Sequence, residues 1–188
     1  MATILDVGQR ITETIPGVDK LKLYKLCFYA QAWHLAWAGS PLFTEQLQAW
    51  VHGPVSPDLR RATEPVAAGN RVFRVPGGNA GSRTNYEVAV VDSIVDHYGS
   101  VPSLALSKRS HASEAWIEAR GDLGAHAIGN EVISITTLRD EFARRIDGDA
   151  PRPHAPAFLP DVEDSLLDEA AGDVERDWWE TLRILADR

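Results

Sequence analysis

Residues 22–59 read KLYKLCFYAQAWHLAWAGSPLFTEQLQAWVHGPVSPDL. Asp19 precedes this stretch as a predicted N-cap, and Gly39 supplies a C-terminal stop, so the apolar part is a helix. Leu21, Tyr24, Phe28, Ala32 and Leu35 line one of its faces, while Leu23, Leu26, Ala30, Trp33 and Trp37 line much of the rest. A helix apolar nearly all round is buried from several sides. This one is the expected hub of the fold. After the Gly39 turn, Thr44 is placed to cap a short helix ending near Trp50, which Gly53-Pro54 would break. Ser56 followed by Pro57 then starts another helix, because proline at the first helical position is preset for the helical φ.

Working outward, Ile4, Val7, Ile11 and Ile15 form one stripe of a first helix from about Thr3 to Ile15, stopped by Pro16-Gly17. Residues 69–83 are rich in Gly, Asn, Ser and Arg and read as a loop. The flanking pieces Arg71 to Val75 and Tyr86 to Val90 alternate as a small β-hairpin would. Ser103 and Ser113 read as caps of two short helices, the second carrying Trp116. Residues 121–130 form a Gly-rich connection. Thr137 with Asp140 resembles a capping box for a helix buried through Leu138, Phe142 and Ile146. Residues 150–160, APRPHAPAFLP, hold four prolines and read as a semi-rigid linker. Beyond it, Val162, Leu166, Ala170, Val174, Trp178, Leu182 and Leu185 recur at helical spacing on an otherwise acidic segment. Such an amphipathic helix must cover its own domain, a second copy or a partner. The predicted class is mainly α, a compact helical domain around a buried central helix with a small β-hairpin. Its expected divisions are 1–146, a Pro-rich linker at 147–160, and an acidic helix at 161–188.

With 188 residues and 44% hydrophobic side chains, the chain can build a sizeable core. A single cysteine, Cys27, excludes an internal disulfide framework. The N-terminus lacks the pattern of a signal peptide, and no stretch reaches the roughly 18 apolar residues of a membrane span. The expected home is the cytoplasm. The net charge of −8 is unevenly placed: residues 1–144 carry 15 acidic and 14 basic side chains, residues 145–188 carry 12 and five. Bulk charge therefore argues against nucleic acid and allows an acidic tail to steer a basic protein partner.

The neutral-pH titratable groups are His34, His52, His97, His111, His126 and His154. None stands at a zinc-like spacing, and no P-loop, HExxH, CxxC or GxSxG occurs. PGGNAGS lacks the lysine of a phosphate loop and reads as a surface turn. Cys27 and His34 share a helix face about 10 Å apart along the axis, beyond hydrogen-bond reach. Gln31, His34 and Tyr24 put polar groups on the apolar hub, and buried polar groups need partners. The backbone of the Gly53-Pro54 corner is the expected one. Trp33, Trp37, Trp50 and Trp116 read as core or rim packing, any exposed one being a contact candidate.

Four stretches also carry a family likeness. KLYKLCFYAQAWHLAWAGSPLF shows a Lys-Leu-x-Lys-Leu start, Tyr-x-Gln-x-Trp, and a Gly-x-Pro-Leu-Phe exit. AWVHGPVSPDL shows an Ala-Trp-x-x-Gly-Pro-Val-x-Pro-x-Leu corner. Asp92, Val95 and Tyr98 follow, then Leu106, Ser107, His111 and Trp116 in LALSKRSHASEAW. Over about residues 20–146 the chain resembles the Panacea-domain antitoxins, a family with SocA-like proteolytic adaptors and phage-associated GepA-like proteins. The resemblance implies a helix from about Val88 to Tyr98, which competes with the hairpin reading. Val91, Ile94, Val95 and Tyr98 would supply its stripe, and Gly99 and Pro102 its end. It also implies neutralisation of a cognate protein toxin, by masking or by delivery to an AAA+ protease, with no catalytic residue, cofactor or metal. Partner-contact candidates are Trp33, His34, Trp37, Trp50, His52, His111, Trp116, Trp178 and Trp179. Tyr29, Gln31, Gly53, Pro54 and Pro57 are the expected fold-defining positions. The competing reading from a different class is a small enzyme using His111 or His34 as a base.

Overall fold

The computed structural model describes residues 2–79, 81, 84–124 and 126–157. The expected acidic helix, with Trp178 and Trp179, lies outside them. All the elements below belong to one compact unit, Met1–Pro156.

The hub forms as the sequence dictates. Helix α1, Ile4–Thr14, opens on a capping box between Thr3 and Asp6 and buries Ile4, Val7 and Ile11. Helix α2, Lys20–Ala38, begins where the Asp19 carboxylate accepts from the Lys22 amide and ends at Gly39, φ 70°. Every residue from Leu23 to Leu35 is buried. Helices α1, α4, α5 and α7 all pack against α2. Each large side chain enclosed this way contributes roughly 1.5–3 kcal/mol.

Between Gly39 and Pro57 the backbone is not helical. Strand β2, Gln48–Trp50, pairs antiparallel with β3, Gly53–Val55, across a Val51-His52 turn. The expected helix from Thr44 is therefore corrected to a hairpin. Leu47 and Ala49 point inward while Gln48 and Trp50 are half-exposed, the period of two of a strand. Residues 131–133 join the other side of β2: the Ala49 amide donates to Glu131 O (2.9 Å) and the Ile133 amide to Leu47 O (2.8 Å). Helical propensity in TEQLQAW yields to backbone partners on both sides.

Helix α3, Pro57–Thr63, starts with Pro57 in the first turn, but the Ser56 hydroxyl makes no capping bond. Strand β4, Arg71–Val72, pairs with β1, Val18–Asp19, and not with residues 86–90. Those residues lie in α4, Asn85–Tyr98, which opens on a capping box between Thr84 and Glu87. Its buried stripe is Val90, Val91, Ile94, Val95 and Tyr98. Helix prevails over hairpin there because a helix buries all five on the core side, whereas a strand would turn alternate ones outward.

Helices α5, Ser103–Ser110, and α6, Glu114–Arg120, follow. Pro102 stands at the N-cap of α5, so Ser103 is its first helical residue and does not cap it. Ser113 stands at the N-cap of α6 without a side-chain capping bond. Its hydroxyl donates to the buried Glu141 carboxylate (2.7 Å), which also accepts from the Ala115 amide (3.2 Å). Helix α7, Ile135–Ile146, is capped by Ser134, which accepts from the Thr137 amide. The Thr137–Asp140 box is thus corrected: both residues lie inside the helix. Phe142 of α7 meets the Trp33 ring edge-on at 5.2 Å. The segment after α7 runs over α4, where the Ser93 hydroxyl donates to His154 O (2.5 Å). No helix among the described residues is long and apolar enough to cross a membrane.

Candidate functional site

The hairpin is held by three helices through three of its carbonyls. From α2, the Lys25 ammonium donates to Pro54 O at 2.9 Å. From α5, the Ser107 hydroxyl donates to His52 O at 2.9 Å. From α6, the Trp116 indole donates to Trp50 O at 3.1 Å. Residues 50, 52 and 54 thus each lose an exposed acceptor. Pro54 lacks an amide proton, but it opposes Ala49, whose amide points to residue 131 instead.

Gly53 lets this clamp close. Its φ is 94°, a region that side chains rarely adopt. A Cβ there would sit 2.6 Å from Ser110 Oγ and 2.8 Å from Lys25 Nζ. Ser110 in turn donates to Ser107 O (2.8 Å). His111, the last-turn neighbour, stacks on Trp116 with ring centres 4.5 Å apart, and the Arg120 guanidinium lies 5.5 Å from the centre of the same indole.

Electrostatically the corner is dry. Lys25 is 0% exposed, and burial lowers its pKa to about 7. His111 is lowered by burial and then by the nearby Lys25. Its Nε2 is buried without a hydrogen-bond partner among the described residues. Cys27, fully buried, is pushed well above the usual thiol range. His34 is lowered by burial, its Nδ1 lying 2.8 Å from Ser40 O. Both imidazoles therefore favour the neutral form, and the thiol stays protonated. No three His, Cys, Asp or Glu side chains among the described residues are grouped as a metal ion would require.

The polar residues of the hub bond elsewhere than expected. Gln31 donates to Phe43 O (2.9 Å) and accepts from the amides of Leu42 (2.8 Å) and Phe43 (3.2 Å). With His34 it fixes the exit loop at residues 40–43. The Tyr24 hydroxyl lies 3.0 Å from Thr63 Oγ1 at the end of α3. The partner of the Gly53-Pro54 corner is Lys25, which the sequence reading passed over. Its signal was a lone cation amid the apolar run Leu23–Leu35, where no face of the helix was left for solvent.

Of the aromatic and imidazole candidates, Trp33 is 2% exposed and donates to the Tyr98 hydroxyl (3.0 Å). Tyr29 is also inside, stacked on Tyr98 at 4.4 Å. Trp37, Trp50, His111 and Trp116 are part-buried, and His52 is exposed at the hairpin turn. Trp50 lies under Arg60, whose guanidinium is 5.0 Å from the indole centre. The two line an open groove of about 410 Å³ with Pro57, Arg61, Glu64 and Pro65.

The family model for the antitoxin SocA-like, Panacea domain matches residues 23–117, just over half of the 188-residue chain. The chain belongs to this family. The Panacea span opens in α2 and closes in α6. It contains every residue of the hairpin clamp: Lys25, Gly53, Pro54, Ser107, His111 and Trp116. Helices α1 and α7 lie outside it and complete the packing around α2. No curated protein and no solved structure matches the chain.

Proposed function

We propose that this Panacea-domain protein neutralises a protein toxin by direct contact and without a chemical step, in the bacterial cytoplasm. The observation that carries the reading is where the family's polar motif residues go. Lys25, Ser107 and Trp116 spend their donors on hairpin carbonyls, and Gln31 on the exit loop. None is left facing a cleft as an acid, base or nucleophile would be. A reading with His111 or His34 as a general base asks for an imidazole that can reach a substrate proton, and the His111 Nε2 is buried. Trp50 and Trp37 stay half-exposed at the rim, and Trp is a residue type that anchors protein interfaces.

Expression of the adjacent gene product, alone and with this protein, tests the reading. The expected result is growth arrest that co-expression relieves. Arrest that persists, or a harmless neighbour, contradicts it. Partner half-life in the same cells separates masking, which leaves it unchanged, from delivery to an AAA+ protease, which shortens it.

A further inference from the structure

The segment from α6 to α7 crosses the outer edge of the hairpin and leaves its own edge open. Gln48 and Val132 face each other as an antiparallel bridge. The bonds of this bridge run from Ala49 to Glu131 and from Ile133 to Leu47. It follows that the amide and carbonyl of Val132 point away from β2. Neither bonds a described residue.

This edge is greasy. Ile128 is 94% exposed, Val132 47% and Leu123 41%. The three lie on the one segment that joins α6 to α7. The loop is closed by Arg120, which donates to Ala127 O (2.9 Å) and Gly124 O (2.8 Å). Leu123 reaches back over Gly129, where a Cβ would lie 2.7 Å from its Cδ1, and Gly129 in turn abuts Ala49 O of β2. An open edge with apolar side chains is a template for an added strand.

The surrounding charge names the occupant. Glu118, Asp122 and Glu131 are exposed and form no ion pair with a described residue. The single Lys or Arg in residues 117–135 is Arg120, which is 5% exposed with its guanidinium turned inward. Residues 117–135 thus carry exposed carboxylates and exposed apolar side chains together, with no exposed Lys or Arg side chain of their own.

We propose that the Val132 edge, with Leu123 and Ile128, takes an extended segment of the partner toxin in which apolar residues alternate with Lys or Arg. Main-chain bonds to Val132 would supply affinity, and Glu118, Asp122 and Glu131 would select the cationic strand over other extended chains. The inference rests on the neutralisation reading and places its contact.

The full-length chain and the adjacent gene product supply the test, by calorimetric titration and hydrogen exchange. Ile128→Arg places a charge on an exposed side chain, so melting stays that of the wild type while Kd rises at least about tenfold. Asp122→Lys with Glu131→Lys weakens binding and flattens its salt dependence. Exchange at the Val132 amide slows on complex formation. Leu104→Arg, on the exposed surface of α5, keeps the wild-type Kd. Tight binding by the wild type that Ile128→Arg and the charge reversals leave unchanged overturns this surface and leaves neutralisation standing. No binding by the wild type overturns both.

Discussion

At the scale of single residues, Lys25 sets the chemistry of the hub. It contributes one hydrogen bond to the hairpin and carries a charge that the surroundings do not solvate. With its pKa lowered from 10.5 to about 7 in the fold, the unfolded chain binds this proton first as pH falls. Stability therefore rises with pH between about 7 and 10.5, is lost on descending through that window, and below it the penalty is constant. Lys25→Met removes this slope. Its cost relative to wild type should be roughly 3–4 kcal/mol smaller at pH 7 than at pH 10, read from urea midpoints. An equal cost at both pH values would place the amine in contact with water. Lys25 was written in the sequence as an isolated cation in a fully apolar run. What the sequence did not hold was its acceptor, because Pro54 is a distant residue whose carbonyl turns inward only once the hairpin exists.

At the scale of elements, legibility followed the range of the determining contacts. Helix α2 has its N-cap, apolar surface and glycine stop within one local window, and it appeared where the sequence placed it. Strand β2 did not, because its identity depends on residues 131–133, over 80 positions downstream. The same contrast separates α4 from the misread hairpin. Thr84 and Glu87 form a local capping box, while the true strand partner of Arg71–Val72 lies back at Val18–Asp19. The exit loop at residues 40–43 is the sharpest dependence of one element on another, since one α2 side chain serves three of its backbone groups. Gln31→Leu keeps the volume and strands all three, and it should cost about 3 kcal/mol or more in urea denaturation. A loss under about 1 kcal/mol would mean that water re-pairs the loop.

At the scale of the whole molecule, the family span supplies the clamp and the flanking helices supply much of the cover. The acidic excess sits almost entirely after residue 144, beyond the Panacea match. A chain ending at Pro156 keeps every element described here and should melt cooperatively near the wild-type temperature. It should bind the partner more weakly at low salt, because the lost charges steer a basic surface. Neutralisation undiminished by this truncation would remove the tail from the interface. The candidate site was legible in the sequence only as a set of family positions. That Lys25, Ser107 and Trp116 close on alternate carbonyls of one hairpin is a property of three helices meeting, which no local pattern encodes. The most direct measurement is a titration of the purified toxin's activity with this protein, followed by mass spectrometry of both chains. The account predicts a linear fall to zero at a fixed molar ratio, independent of incubation time, with both masses unchanged. Complete inactivation at substoichiometric amounts, progressing with time and leaving an altered toxin mass, would contradict it.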